Sequence, residues 1–371
     1  MRRRLVVTVV TAVAVLATAC SGGGHSHSSA SGSSNLPSTS GPLPGARCGA
    51  WTLSTLPPIG GFLLGVTALS ATDAWAAGRD GAGKMVILHW GGTSWTEVWK
   101  GRAGALYSVK ALSPTDVWAT GRDGQGATAV HWDGRAWTVL APRLPQLVGQ
   151  SLLIESALRS GSDVWAAGLF VNQDQAFVVH WDGTSWSLDT GLTLAQTALR
   201  SISVAPSGTL WAVGETVVGT THHPLIQKAT AGGPWTPVPT GIAPTREILL
   251  HGVLAVSDQD VWATGYENVR RAGGVVENPI AVHVGPSGVE LTPMAAVKQG
   301  RPRHLAAFAP NDVVAVGDQL GTAPLVEHWD GTSWQLMTVP TTQRLFGVAS
   351  SPASHEVWAV GYGPTILHLC R

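Results

Sequence analysis

The stretch DVWATGRDGQGATAVHWDGRAWTVL, Asp116–Leu140, decides the fold. It opens on an acid and a run of apolar residues that ends in Gly121. A polar loop follows, then an alternating run from Ala127 to Trp132. Asp133–Gly134 is a tight hairpin signal, because Gly takes positive φ without steric cost. The segment then closes on Trp137–Leu140. Upstream, LYSVKALS (Leu106–Ser113) alternates and meets turn residues at Pro114–Asp116. β-branched residues and Trp dominate, as strands prefer, and no helical period is sustained. The reading is four short antiparallel strands in one unit.

That unit returns along the chain. Its landmark, acid–Val–Trp–Ala–x–Gly, appears as DAWAAG at Asp73, DVWATG at Asp116 and DVWAAG at Asp163. It continues as TLWAVG at Thr209, DVWATG at Asp260, DVVAVG at Asp312 and EVWAVG at Glu356. The seven copies lie 43 to 52 residues apart, the length of a propeller blade. The landmark tryptophans are Trp75, Trp118, Trp165, Trp211, Trp262 and Trp358. HWDGTSW occurs twice unchanged, at His180–Trp186 and His328–Trp334, with HWGGTSW at His89 and HWDGRAW at His131. A catalytic constellation is built once per molecule, whereas a structural device is built once per repeat. The series His89, His131, His180, His283, His328 and His368, with Lys228 in repeat four, is therefore read as structural. So are the turn acids Asp133, Asp182 and Asp330. The acid before Val–Trp is expected to satisfy turn N–H groups. Sixteen of the seventeen tryptophans sit at repeat positions, Trp99 being the exception, and are expected to stack between neighbouring units.

The last repeat stops after TILHLCR. Its missing outer strand matches CGAWTLST near the front of the chain, with Trp51 in the place of Trp334. The expected fold is all-β: a seven-bladed β-propeller of four-stranded antiparallel blades over residues 47–371, closed by an N-terminal outer strand in the last blade. Cys48 and Cys370 flank that junction and are expected to form a disulfide, which an exported protein can keep.

The front of the chain is a targeting segment. Arg2–Arg4 form a basic head, Leu5–Ala17 is apolar, and LATAC ends at Cys20. This resembles a bacterial lipoprotein signal over residues 1–19, although Ala17 stands where a lipobox prefers Leu. The resemblance implies cleavage before Cys20, lipid on its sulfur, and an extracytoplasmic protein anchored to the membrane. Residues 20–46 are rich in Ser and Gly and read as a flexible tether reaching about 30 Å. His25 and His27 within it are linker residues rather than a metal site. With 23 basic and 23 acidic residues in 371, nothing favours nucleic acid. No metal or cofactor is expected, and the chain reads as a monomer.

The repeats resemble bacterial propellers of the kelch, galactose-oxidase central-domain and Asp-box group. DGTSW is similar to an Asp box, whose Asp and Gly shape the turn between a blade's third and fourth strands. The chain departs from kelch in having one Gly after its second strand, and it lacks the Asp-box serine and the Gly-His pair of WD repeats. The copper chemistry of galactose oxidase would need tyrosines and a spare cysteine, and only Tyr107, Tyr266 and Tyr362 exist. What carries over is the fold.

Ligand binding is expected on the face that bears the second-to-third and inter-blade connections, which vary most. The most divergent are ETVVGTTHHP (Glu215–Pro224) and YENVRRAGGVVENP (Tyr266–Pro279), read as loops. Counting back nine residues from each landmark acid or its equivalent, with one insertion allowed in repeat seven, gives the start of the inner strand. Leu64, Tyr107, Ile154 and Phe346 stand there in four repeats; Arg200, His251 and Arg303, with His304 adjacent, stand in the other three. These basic residues, with Tyr266, form the candidate ligand site. The expected function is a non-catalytic surface lipoprotein that binds a glycan or a protein of the envelope. The alternative is a glycan-active enzyme, a sialidase-like hydrolase or a lyase, using loop acids such as Glu155, Glu267 or Glu277.

Overall fold

Between Asp116 and Leu140 the expected strands form. Strand Asp116–Asp123 pairs antiparallel with Gly126–Trp132, from Val117 opposite Trp132 to Asp123 opposite Gly126. Trp132 then faces Trp137 across the Asp133–Gly134 turn. Gly134 sits at φ 86°, and the Asp133 carboxylate accepts the Arg135 and Ala136 N–H groups at 2.8 Å each. The computed structural model describes residues 49–370 apart from 172–174, 193–196, 231–232, 298 and 352–353. The signal segment, the tether, Cys20 and Cys48 lie outside the described residues.

In chain order the strands begin with β1 (Thr52–Leu53), β2 (Phe62–Ser70), β3 (Asp73–Arg79), β4 (Lys84–Trp90), β5 (Trp95–Ser113), β6 (Asp116–Asp123), β7 (Gly126–Trp132) and β8 (Trp137–Val139). Repeat three supplies β9 (Ser151–Ser160), β10 (Asp163–Phe170), β11 (Ala176–Trp181) and β12 (Trp186–Asp189). Repeat four supplies β13 (Thr197–Val204), β14 (Leu210–Val218), β15 (Thr221–Ala229) and β16 (Thr236–Pro237). Repeat five supplies β17 (Glu247–Ser257), β18 (Asp260–Arg271), β19 (Gly274–Gly285) and β20 (Gly288–Pro293). Repeat six supplies β21 (Gly300–Ala309), β22 (Asp312–Gln319), β23 (Ala323–Trp329) and β24 (Trp334–Leu336), and repeat seven β25 (Leu345–Ser351), β26 (Glu356–Gly361) and β27 (Thr365–Cys370).

The result is an all-β β-propeller with four-stranded antiparallel blades. Hydrogen bonding joins the strands into five four-stranded sheets and one seven-stranded sheet, β2 to β8. The longer sheet arises because β5 runs unbroken from one repeat into the next. Its first part pairs with β4 up to Ala103, and its second part pairs with β6 from Gly104 onward. No proline interrupts Trp95–Ser113, whereas Pro142 and Pro145 stand at the next junction. The inner strands β2, β5, β9, β13, β17, β21 and β25 pack each against the next, and β25 packs against β2. Together they line one central channel of about 220 Å³.

The expected closure forms. β1 joins the β25–β27 sheet as its outer strand, with Thr52 opposite His368. Gly49 N–H donates to Cys370 O at 2.8 Å and Ser54 N–H to Ile366 O at 2.9 Å. Trp51 is buried against Val314, Val316 and Leu367, across the boundary between repeats six and seven.

The core lies between adjacent sheets. Trp118 packs with Leu153, Val164 and Trp186 of the next repeat, and Trp358 with Leu63, Val86 and Trp95. Trp118, Trp262 and Trp358 meet the indole of the following repeat edge-on, at centroid distances of 6.1, 5.7 and 5.3 Å. Edge-to-face contact suits the ring quadrupole.

The recurring histidine and acid differ from expectation in one respect. The acid holds the histidine rather than turn N–H groups. Nε2 of His89, His131, His180, His283 and His328 lies 2.8–3.1 Å from the landmark aspartate of the same repeat. His368 bonds Glu356 in the same way. Five of these imidazoles lie 4.0–4.3 Å from the landmark tryptophan, centroid to centroid. Repeat four loses acid and histidine together: Thr209 replaces the acid, and Lys228 places Nζ 5.6 Å over Trp211. Cross-strand partners on adjacent strands have been exchanged as a unit.

The stretches read as loops in repeats four and five are strands. β14 and β15 stay paired out to Val218 opposite Thr221, and β18 and β19 out to Arg271 opposite Gly274. Runs of Val and Thr favour extension, and Gly219 (φ 65°) and Gly274 (φ 118°) supply the tight turns. Among the described residues, no helix is long and apolar enough to cross a membrane.

Candidate ligand-binding mouth of the central channel

The seven positions found by counting back from the landmark acid share one backbone feature. Each is the extra residue of a β-bulge in its inner strand: Leu64, Tyr107, Ile154, Arg200, His251, Arg303 and Phe346. A bulged residue leaves the ladder, and its side chain is re-aimed. The landmark glycine makes this possible. A Cβ on Gly121, Gly214, Gly265 or Gly317 would lie 1.9–2.1 Å from the inner-strand carbonyl two residues before the bulge. Only glycine lets the two backbones approach that closely.

The residue after that glycine sits beside the bulge, so each repeat presents a pair at the mouth. Repeats one to three present Leu64 with Arg79, Tyr107 with Arg122, and Ile154 with Leu169. Repeats four to seven present Arg200 with Glu215, His251 with Tyr266, Arg303 with Asp318, and Phe346 with Tyr362.

The predicted basic residues do converge. Burial pushes the His251 imidazole well below its usual range, and the charges of Arg200, Arg303, Arg301 and His304 push it further. Its ring centroid lies 5.3 Å from that of Tyr266, and its buried Nε2 has no hydrogen-bond partner. Burial, reinforced by Glu277, raises the Tyr266 hydroxyl to about 12.

Convergence does not leave an open cationic cluster, and the expectation is corrected here. Arg200 bonds Glu215 through Nη2 at 2.6 Å and through Nε at 3.2 and 3.3 Å. Arg303 Nε bonds Asp318 at 2.6 Å. Arg301 grips Glu277, and Arg246 holds Glu267 at 2.6 and 2.7 Å. His304 turns into the channel, with Nε2 3.2 Å from Glu155. Glu155 also takes Lys110 at 3.3 Å and a hydrogen bond from Ser108. Burial alone would raise the Glu155 carboxyl, but Lys110, His304 and Ser108 outweigh it and hold it near about 2. Glu155, Glu267 and Glu277, the acids of the enzymatic alternative, are thus each engaged by a cation.

Three arginines that were not singled out from the sequence occupy the other side of the mouth. Arg79 and Arg122 both act on the Tyr107 hydroxyl, which burial raises and they draw back. Arg344 lies between two rings, with Cζ 5.2 Å from the Phe346 centroid and 5.0 Å from that of Tyr362. It donates to Gly321 O at 3.2 Å. For Arg79 and Arg122 the available signal was the residue after each landmark glycine: Arg, Arg, Leu, Glu, Tyr, Asp, Tyr in chain order; Arg344, two residues before Phe346, had none. Among the described residues, no three His, Cys, Asp or Glu side chains converge for a metal ion.

The sequence matches no family model and no curated protein. In structure the chain is similar to YCF48 bound to a D1 peptide, with 19% identity and a TM-score of 0.59 over 88% of this chain and 99% of that one. It is similar to the extracellular domain of BT4673 from B. thetaiotaomicron, with 14% identity and a TM-score of 0.58 over 87% of this chain and 40% of that one. The WD40 β-propeller domain of Doa1 gives 13% identity and a TM-score of 0.58 over 86% and 96%. At such identities the likeness is one of fold.

Proposed function

We propose that the protein is a non-catalytic, lipid-anchored binding module that engages a partner protein at the mouth of its channel. The observation that carries this reading is the ring of bulged residues. Seven inner strands each push one side chain out of the ladder at the same end of the channel, and those side chains differ from repeat to repeat. A rigid scaffold with variable residues at one rim is built for recognition. Solved propellers of similar fold include one with a bound peptide. A protein is favoured over a glycan because the aromatic faces are already covered: Arg301 lies over Tyr266, Arg303 over Phe346, and Arg344 over Phe346 and Tyr362.

We read the seven-stranded sheet as two blades sharing β5, which makes the ring seven-bladed; the unbroken circuit of inner strands supports this count. The Cys48–Cys370 disulfide is proposed on the hydrogen bond to Cys370 O from Gly49, the residue that follows Cys48 in the sequence. Anchoring through Cys20 outside the cytoplasm rests on the signal segment. Cys20→Ser should move the protein from the membrane fraction to the medium, as read by fractionation and blotting; unchanged membrane retention would overturn the anchor.

Binding at the mouth is tested by site-specific photocrosslinking in cells. A photoreactive phenylalanine at Tyr362, which is 44% exposed at the rim, should yield a discrete higher-mass adduct. The same group at Thr184, in the exposed Asp182 turn of the opposite face, should not. Equal labelling from both positions, or from neither, would overturn the reading.

A further inference from the structure

The arginines of the mouth divide into two sets. Arg200, Arg246, Arg301 and Arg303 each carry a carboxylate from a neighbouring strand. Arg79, Arg122 and Arg344 have no carboxylate partner among the described residues, yet all three are half-buried. A guanidinium withdrawn from water without a counter-charge is destabilising. The cost is visible at Arg344, whose affinity for its proton falls through burial and through the neighbouring charge of Arg303, with the charge of Asp318 offsetting only part of it.

The three lie on adjacent repeats, seven, one and two, and their surroundings are continuous. Phe62 is the cross-strand partner of Arg79 and stacks on Tyr362 at 6.4 Å, and Arg344 covers the same Tyr362. The charges of Arg79 and Arg122 both reach the Tyr107 hydroxyl, and Arg122 pairs with Ala105 beside the Tyr107 bulge. At Arg344 the two rings hold the guanidinium plane, and beyond the one bond to Gly321 O no carboxylate takes its N–H donors, which is how a protein preorganises arginine for planar anions.

We propose that Arg79, Arg122 and Arg344 form an anion site that takes an acidic, extended segment of the partner protein, one carboxylate per arginine. The proposal deepens the reading of the mouth as a protein-binding surface and rests on it. A single tetrahedral anion is a poor match, because the donors are distributed over three repeats rather than gathered at one point. Carboxylates spaced along one chain can meet all of them, each through a two-pronged hydrogen-bonded pair.

The test is fluorescence anisotropy of the purified protein with a labelled (Gly-Glu)6 peptide at low salt. Binding is expected, and the Arg79→Gln/Arg122→Gln/Arg344→Gln variant should lose at least about tenfold in affinity. Arg344→Lys, which keeps the charge and loses the fork, should fall between the two. Arg135→Gln, on the exposed β7–β8 turn, should bind as the unaltered protein does, and thermal melting should show every variant folded. Equal affinity in the triple variant, equal binding of a (Gly-Gln)6 peptide, or capture of polygalacturonate in place of the acidic peptide would overturn the proposal. The crosslink at Tyr362 separates the two levels. If the folded triple variant keeps the adduct in cells, the protein-binding mouth stands and the acidic segment does not.

Discussion

Replacing Trp118 by alanine is expected to lower the unfolding free energy by about 3–5 kcal/mol, the range for deleting a buried aromatic ring. Trp118 is fully buried. Its ring lies 4.3 Å from His131 of its own repeat, and 5.8 and 6.1 Å from Trp181 and Trp186 of the next. One truncation therefore opens a cavity at a blade boundary that no backbone movement can fill without disturbing both sheets. The indole Nε1 has no hydrogen-bond partner, so the side chain contributes packing rather than polarity. Trp118→Phe should accordingly recover most of the loss. Denaturant unfolding of the purified protein, followed by intrinsic fluorescence, measures both. A loss below about 1 kcal/mol for the alanine variant would mean that the boundary is not tightly packed. Repeat six is the natural comparison. Val314 holds the tryptophan position there, and Trp51 and Leu367 are packed around it. That boundary has been filled from the closing strand instead of from the landmark residue.

The landmark hexapeptide made the fold legible because every residue in it answers to a local need. The acid and the histidine are cross-strand partners, the tryptophan fills the gap to the next repeat, and the glycine admits a neighbouring carbonyl. Such needs recur once per repeat and so leave a period in the sequence. Closure was legible for the same reason: Trp51 completes a pattern that the chain breaks at Cys370. The mouth was half legible. Its inner positions could be counted from the acid, but the bulge that turns them outward depends on a register shift with no residue signature of its own in the inner strand. Charge balance was hidden for a related reason. Arg200 and Glu215 are fifteen residues apart, as are Arg303 and Asp318, and they touch only because bulge and glycine lie side by side. Without that register, Arg200 and Arg303 look open and Arg79 and Arg122 look incidental. The paired hairpins of repeats four and five were misread as loops because Gly and polar residues at their tips outweighed the Val and Thr flanking them.

Glu327 should make the protein less stable as the pH rises through the mildly acidic range. It occupies the position before the strand histidine, where Leu88, Val130, Val179, Val282 and Leu367 stand in other repeats. It is fully buried; one oxygen accepts the Ala295 N–H at 2.7 Å, and the other has no partner. Burial raises its carboxyl from 4.5 to about 7, with the Ala295 bond offsetting a little of this. The unfolded chain then ionises first. Below pH 4.5 both states hold the proton, and the residue contributes no pH dependence. Between 4.5 and about 7 the unfolded state sheds it and the folded state keeps it, so stability falls; above about 7 the loss is complete, on the order of 3 kcal/mol. The turn carboxylates act in the opposite sense and in a lower window. Hydrogen bonds from Thr332 and Ser333 hold Asp330 down to about 2, so its contribution is present above the usual aspartate range and fades as the pH falls towards 2. Glu327→Gln removes the proton equilibrium while keeping an oxygen for Ala295. Its denaturation midpoint should vary much less than that of the unaltered protein between pH 4.5 and 7.5, the two profiles diverging most at the alkaline end. Parallel profiles across that window would show that the buried carboxylate ionises without cost, and the assignment of its burial as the cause would fall.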